Sequence, residues 1–131
     1  MSAAEKTLIS RIMKIYEDSG FETPRPDELP QKSDAPMQKI EQLLEYLINE
    51  GRIIRLSKNV LLSYSNFKKA QDMVVDTIQT KGTLDSGDFK FFIKSSRKYA
   101  LAILDYLDSR GVTMRLGNER KLSSDFKKRL L

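Results

Sequence analysis

The chain has 131 residues, 40% of them apolar and 31% charged, which suits a globular protein of one ordinary domain or two small ones. It has neither cysteine nor histidine, so disulfides and Cys-based zinc sites are excluded. Most hydrolytic and metal-dependent chemistry also loses its usual groups, while carboxylate chemistry is not excluded. The net charge of +5 is uneven: residues 1–64 carry 9 Lys/Arg against 10 Asp/Glu, and residues 65–131 carry 14 against 8, which points to a polyanionic partner for the second half.

No apolar run approaches the roughly 18 residues of a membrane span. The start, 2–15, is amphipathic and charged rather than a secretory leader. The expectation is a soluble, cytoplasmic protein with no membrane partner.

In chain order, Leu8, Ile9, Ile12, Met13, Ile15 and Tyr16 form a helical stripe over 3–19, ended by Gly20. All four prolines lie within 21–36 and leave room for one short helical turn near 27–32. Ser33 or Asp34 is expected to cap the next helix, which buries Ile40, Leu43, Leu44, Leu47 and Ile48 and stops at Gly51. Strands near 52–56 and 60–64 then form a hairpin. Ser65 or Asn66 is expected to start a helix reaching Lys81, with Met73, Val74, Val75 and Ile78 inward and Gly82 after it. Thr83–Leu84 reads as extended. Ser86 or Asp88 opens a short helix with Phe89 and Phe92 in the core and Phe91 outside. Ser95 or Ser96 opens a longer helix burying Ala100, Leu101, Ile103, Leu104 and Leu107, and Gly111 ends it. A second hairpin covers 112–116 and 120–122, turning at Gly117–Asn118.

The chain repeats itself. EYLINEGRIIRLSKNVLLS at 45–63 and DYLDSRGVTMRLGNERKLS at 105–123 share Tyr, Leu, Gly, Arg-Leu, Leu and Ser without a gap. Each copy has a helix, a short helix, a longer helix and a hairpin. The second and third helices make a helix-turn-helix, and the hairpin makes a wing. The expected fold is mostly α with small β-hairpins (α+β): two tandem winged-helix domains, 1–64 and 65–131. Tyr46 and Tyr106 are expected to close the core under each hairpin.

The chemistry concentrates in Lys94-Ser95-Ser96-Arg97-Lys98-Tyr99. These residues fall at a helix start, where unpaired amides and the helix dipole favour a phosphate. The hydroxyls of Ser95 and Ser96 add donors, Lys94, Arg97 and Lys98 add charge, and Tyr99 can stack on a base. Cations at the positive end of a helix oppose its dipole, which argues for an external use. Arg115, Arg120 and Lys121 in the second hairpin either meet the same phosphate backbone or guard an exposed strand edge against pairing. The matching turn of the first copy, Ser33-Asp34-Ala35-Pro36-Met37, has no basic pair. Lys127-Lys128-Arg129 read as a mobile, solvated tail. Asp105 and Asp108 share one helix face and are expected to pair with basic neighbours. No P-loop and no dinucleotide fingerprint occurs.

The segment SSRKYALAILDYLDSRGVTMRLGNERKL, 95–122, resembles the last winged-helix domain of the bacterial selenocysteine-specific elongation factor. The first copy resembles the preceding domain of that factor by layout. The resemblance implies the RNA-binding end of a translational GTPase, whose final domain grips an mRNA hairpin downstream of a UGA codon. Its front part would bind GTP with Mg and selenocysteinyl-tRNA; this chain has no GTPase motif, so no cofactor is expected here. On the matching motif Ser95, Ser96, Arg97 and Lys98 inherit the hairpin-backbone role, and Arg115 and Arg120 match the family's hairpin arginines. At Met114-Arg115-Leu116 relatives often have a further basic residue. The implied partners are an mRNA stem-loop and the ribosome, for a monomer that is an expressed or separated C-terminal piece. The rival readings are a tandem winged-helix regulator on duplex DNA and a protein–protein scaffold.

Overall fold

The structure, a computed structural model, describes every residue from 1 to 131. The chain divides into two units, Met1–Asn66 and Phe67–Leu131. The first unit contains α1 (Ala3–Asp18), a 3-10 turn (Pro26–Glu28), α2 (Leu29–Ser33), α3 (Met37–Asn49), β1 (Ile53–Ser57) and β2 (Val60–Ser63). The unit boundary falls in the first turn of α4 (Tyr64–Lys81). The second unit continues with β3 (Leu84–Asp85), α5 (Ser86–Phe92), α6 (Arg97–Ser109), β4 (Thr113–Leu116), β5 (Glu119–Leu122) and α7 (Phe126–Arg129). Both units have the helix-turn-helix and hairpin of a winged helix.

In the first unit, α1 opens with a capping box: the Ser2 side chain accepts from the Glu5 amide, and Glu5 accepts from the Ser2 amide. Its apolar stripe meets that of α3 in one core of Ile12, Tyr16, Leu29, Ile40, Leu43, Leu47, Ile53 and Leu61. Neither Ser33 nor Asp34 caps α3. The Ser33 hydroxyl turns back to the Leu29 carbonyl, and Asp34 takes the left-handed conformation (φ 54°) that ends α2. Pro36 is the residue before α3. Nor do Ser65 or Asn66 cap α4. It starts one residue earlier, with the Ser63 hydroxyl accepting from the Asn66 amide at 3.1 Å. The Asn66 side chain is committed elsewhere, donating to the carbonyls of Tyr16 and Glu17 at the end of α1 and of Gly20 just beyond it.

The second unit packs Phe67, Val74, Ile78, Phe89, Ile103, Leu104, Leu107 and Val112 inside. Asp85, rather than Ser86 or Asp88, caps α5 by accepting from the amides of Gly87 and Asp88. Phe89 is buried and Phe91 exposed, but Phe92 is 41% exposed, because Ile93, four residues after Phe89, takes the inward position of the next turn. Tyr106 meets Phe67 edge-on at 5.4 Å, whereas Tyr46 lies 40% exposed and closes nothing. The basic tail is a short helix tied down by Arg129 to Asp125 and by Arg110, which donates to the Arg129 carbonyl.

The two hairpins differ in register. Arg55 pairs with Leu61, but Arg115 pairs with Arg120. A bulge between Arg55 and Ser57 inserts one residue, so the gapless repeat slips by one in its last strand. The second hairpin also gains a third strand, in the order β3-β5-β4. Sixty residues before Leu84 stands Pro24, which has no amide to donate to such a ladder.

Candidate nucleic-acid interface

The turn between α5 and α6 presents the basic cluster. Lys94 adopts φ 52°, in the left-handed region that a non-glycine residue enters at some cost. The Ser95 amide reaches back to the Lys90 carbonyl at 2.9 Å and closes the turn. Ser96 is the extended N-cap, yet its side chain accepts nothing from the helix amides. Helix α6 then begins with Arg97 and Lys98, both exposed. The first backbone bond of the helix runs from Ala100 to Ser96. The positive end of α6 therefore faces outward with two full charges on its first turn. The Lys98 ammonium lies 5.2 Å from the centre of the half-buried Tyr99 ring, a cation–π contact that orients both.

The wing adds Arg115. Its Nε donates to the Gly117 carbonyl at 3.0 Å, which bends the side chain across the hairpin turn. Arg97 and Arg115 line one cavity of about 320 Å³ with Lys90, Asp105, Asn118 and, at its wall, Arg120. Lys90 was not among the sequence candidates. Four cations and two carboxylates, Asp85 and Asp105, surround this space. Asp85 is occupied as the α5 cap and Asp105 accepts from Arg120. The geometry joins the helix start and Arg115 into one positive groove.

Arg120 is not a surface ligand. Its side chain is wholly buried (0% exposed), which corrects the expectation that it meets a phosphate. Nε donates to both carboxylate oxygens of Asp108 (3.2 and 3.0 Å), Nη2 to Asp105 (3.0 Å), and Nη1 to the Ser86 hydroxyl (2.6 Å). The cause is the strand's period of two: Arg120 shares its face with the half-buried Leu122, and that face lies over α6. A guanidinium placed there must be paired or pay several kcal/mol in desolvation. The pairing of Asp105 and Asp108 with a basic neighbour was legible; that the neighbour is Arg120 follows from the same period. Lys121 is exposed but opposite Met114, on the other face of the hairpin from Arg115.

Comparisons place this geometry among known proteins. The family model for the winged helix of elongation factor SelB matches residues 76–122. The selenocysteine-specific elongation factor of Desulfomicrobium baculatum is 22% identical over 121 residues, 92% of this chain. The chain spans only 19% of that relative's length. Among solved structures, the mRNA-binding domain of elongation factor SelB from E. coli, in complex with SECIS RNA, superposes with a TM-score of 0.79 at 23% identity. That match covers 95% of this chain and 100% of the other. A bacterial selenocysteine-specific elongation factor superposes with a TM-score of 0.73 at 21% identity, covering 94% of this chain and 20% of that one. Residues 76–122 thus match the winged-helix model of elongation factor SelB, and the chain shares the fold of the SelB mRNA-binding domain.

Proposed function

We propose that this chain is the mRNA-binding end of a selenocysteine-specific elongation factor, and that its second unit holds a stem-loop downstream of a UGA codon. The observation that carries the reading is the outward, basic start of α6 sharing a groove with Arg115, inside the segment that matches the SelB winged helix. Lys94, Ser95, Ser96, Arg97, Lys98, Tyr99 and Arg115 are the assigned RNA ligands. Lys121 contacts RNA only where a strand wraps the far face of the wing. No catalysis is assigned to this chain. GTP, magnesium and selenocysteinyl-tRNA belong, on this reading, to a preceding part of the factor. The first unit acts as a spacer or meets the ribosome, and the chain works as a monomer.

The chemistry explains the choice of RNA. An A-form stem hides the base edges of its deep major groove, so a helix start there can follow phosphates but not read sequence. Sequence is then read at unpaired loop or bulged bases, where stacking on an aromatic ring such as Tyr99 contributes about 1–3 kcal/mol. Four engaged cations give a slope of log affinity against log salt near 3, at roughly 0.7–0.9 per phosphate neutralised. Titrations against a UGA-proximal stem-loop from a selenoprotein message, a loop-scrambled control and duplex DNA, at matched salt, test this. The stem-loop is expected to bind tightest with that slope. Equal affinity for all three would refute it.

A further inference from the structure

The buried guanidinium of Arg120 joins three elements that a winged helix must hold together to use its wing. It belongs to β5, its carboxylate partners Asp105 and Asp108 project from α6, and its hydroxyl partner Ser86 opens α5. Asp108 is itself held by the Thr113 hydroxyl of β4 at 2.6 Å. Ser86 is tied in turn to the tip of the wing: its amide and its hydroxyl both donate to the Asn118 carbonyl at 2.7 Å. The network thus runs from the C-terminal half of α6 to the hairpin turn. Arg115 sits directly opposite Arg120 on the same face of the hairpin, and it lines the groove that Arg97 lines.

The first unit builds the same junction without charge. By strand pairing, Leu61 stands where Arg120 stands, and Ile48 is sixty residues before Asp108. Both belong to the apolar cluster of that unit. Apolar residues therefore suffice to seat a hairpin on this helix pair. A buried ion pair is often no more stabilising than well-packed apolar residues of like volume, but its geometry is fixed by direction. A guanidinium fork with four hydrogen bonds admits one placement of the strand that carries it.

We infer that Arg120 is a positioning residue: with Asp105, Asp108 and Ser86 it locks the wing against α6, so that Arg115 and the first turn of α6 engage one RNA strand together. The inference rests on the RNA-binding reading above.

The test is a double variant that copies the first unit, Arg120→Leu with Asp108→Ile, in the full chain. Its thermal unfolding should match the parent. Its affinity for the stem-loop should fall about tenfold, within the range of coupling between residues of one network. Within it, Arg115→Ala should have no further effect, while Arg97→Ala keeps its full effect. The salt slope should drop by about the one phosphate that Arg115 neutralises. Arg120→Lys should not rescue, since an ammonium cannot fork to two carboxylates. A folded double variant that binds like the parent, or in which Arg115→Ala still weakens binding fully, overturns the inference.

Amide hydrogen exchange of the wing, read without RNA, separates the two claims. Faster exchange at Leu116 and Glu119 in the double variant supports the lock even if the parent ignores the stem-loop. Unchanged exchange refutes the lock whatever RNA does. Should the double variant not fold, Asp105→Asn, at an exposed site, replaces it. Faster wing exchange and a diminished effect of Arg115→Ala then support the lock; the absence of both changes refutes it.

Discussion

The two units share a backbone and divide the chemistry. Asp34 and Lys94 lie sixty residues apart and take the same left-handed turn, at φ 54° and 52°. Each turn leads into a 13-residue helix, α3 or α6. Yet the first turn reads Asp-Ala-Pro-Met-Gln and the second Lys-Ser-Ser-Arg-Lys. The groove between helix and wing in the first unit, about 560 Å³, is lined by Asp27, Glu41 and Glu45 against Arg55 and Lys58. Its counterpart has four cations against two carboxylates. The difference teaches that the fold requires the turn and the apolar stripe, whereas the proposed binding rests on exposed side chains that the second unit adds to that frame.

The junction under the wing is where that division can be broken hardest. Arg120→Leu alone leaves Asp108 half-enclosed with only the Thr113 hydroxyl. Breaking a buried pair this way costs about 3 kcal/mol or more, against a total of roughly 3–10 kcal/mol for a unit of this size. Calorimetry should show the second unit melting well below the parent and the first unit unmoved; an unshifted transition would mean the pair contributes nothing. Next in size is a graft. Asp34→Lys, Pro36→Ser, Met37→Arg and Gln38→Lys, made in a chain carrying Arg97→Ala and Lys98→Ala, should recover the lost RNA affinity and raise the salt slope by about 2 from three new cations. If the affinity stays at the weakened level, charge at this turn is insufficient and the shape of the second groove matters more.

The smallest expected effect concerns acid stability, and only in the first unit. The bonds from the Ser2 amide and then from Lys39 hold the Glu5 carboxyl down to about 2, from its usual 4.5. A depressed carboxyl contributes stability that is present above its ordinary pKa and is lost as pH falls from about 4.5 toward 2. Glu5→Gln keeps the capping-box geometry but not the charge. The parent should unfold at a slightly higher temperature than this variant at pH 7, and the gap should close by pH 2. A gap that persists in acid would assign it to something other than the carboxylate.

Much of this was legible in the sequence, because helix stripes and glycine stops are local signals. The positions of α1, α3, α4 and α6, both hairpins, and the tandem repeat follow from Leu and Ile spacing and from Gly20, Gly51, Gly82 and Gly111. The caps were not, since Ser33, Asn66 and Ser86 each had two possible partners and tertiary contacts chose between them. The slip in the repeat was hidden because a bulge at Leu56 changes pairing without changing composition. Of the residues lining the groove, Arg97 and Arg115 stand out in the sequence through a basic helix start and hairpin, whereas Lys94, Ser95, Ser96, Lys98 and Tyr99 lie outside that lining. Arg120 was misplaced by reading its charge before its strand period. Lys90 was missed because α5 offered no basic cluster of its own.

The helix start is best tested by removing its charge while the fold stays intact. Arg97→Ala with Lys98→Ala touches two exposed side chains, so thermal unfolding should not change. Titration of this variant and of the parent with the UGA-proximal stem-loop, over a range of salt, gives affinity and slope together. A loss of at least about tenfold, with the slope lowered by roughly 1.4–1.8 for two phosphates, is expected if RNA is held by the start of α6. A folded variant with the parent's affinity and slope would contradict it.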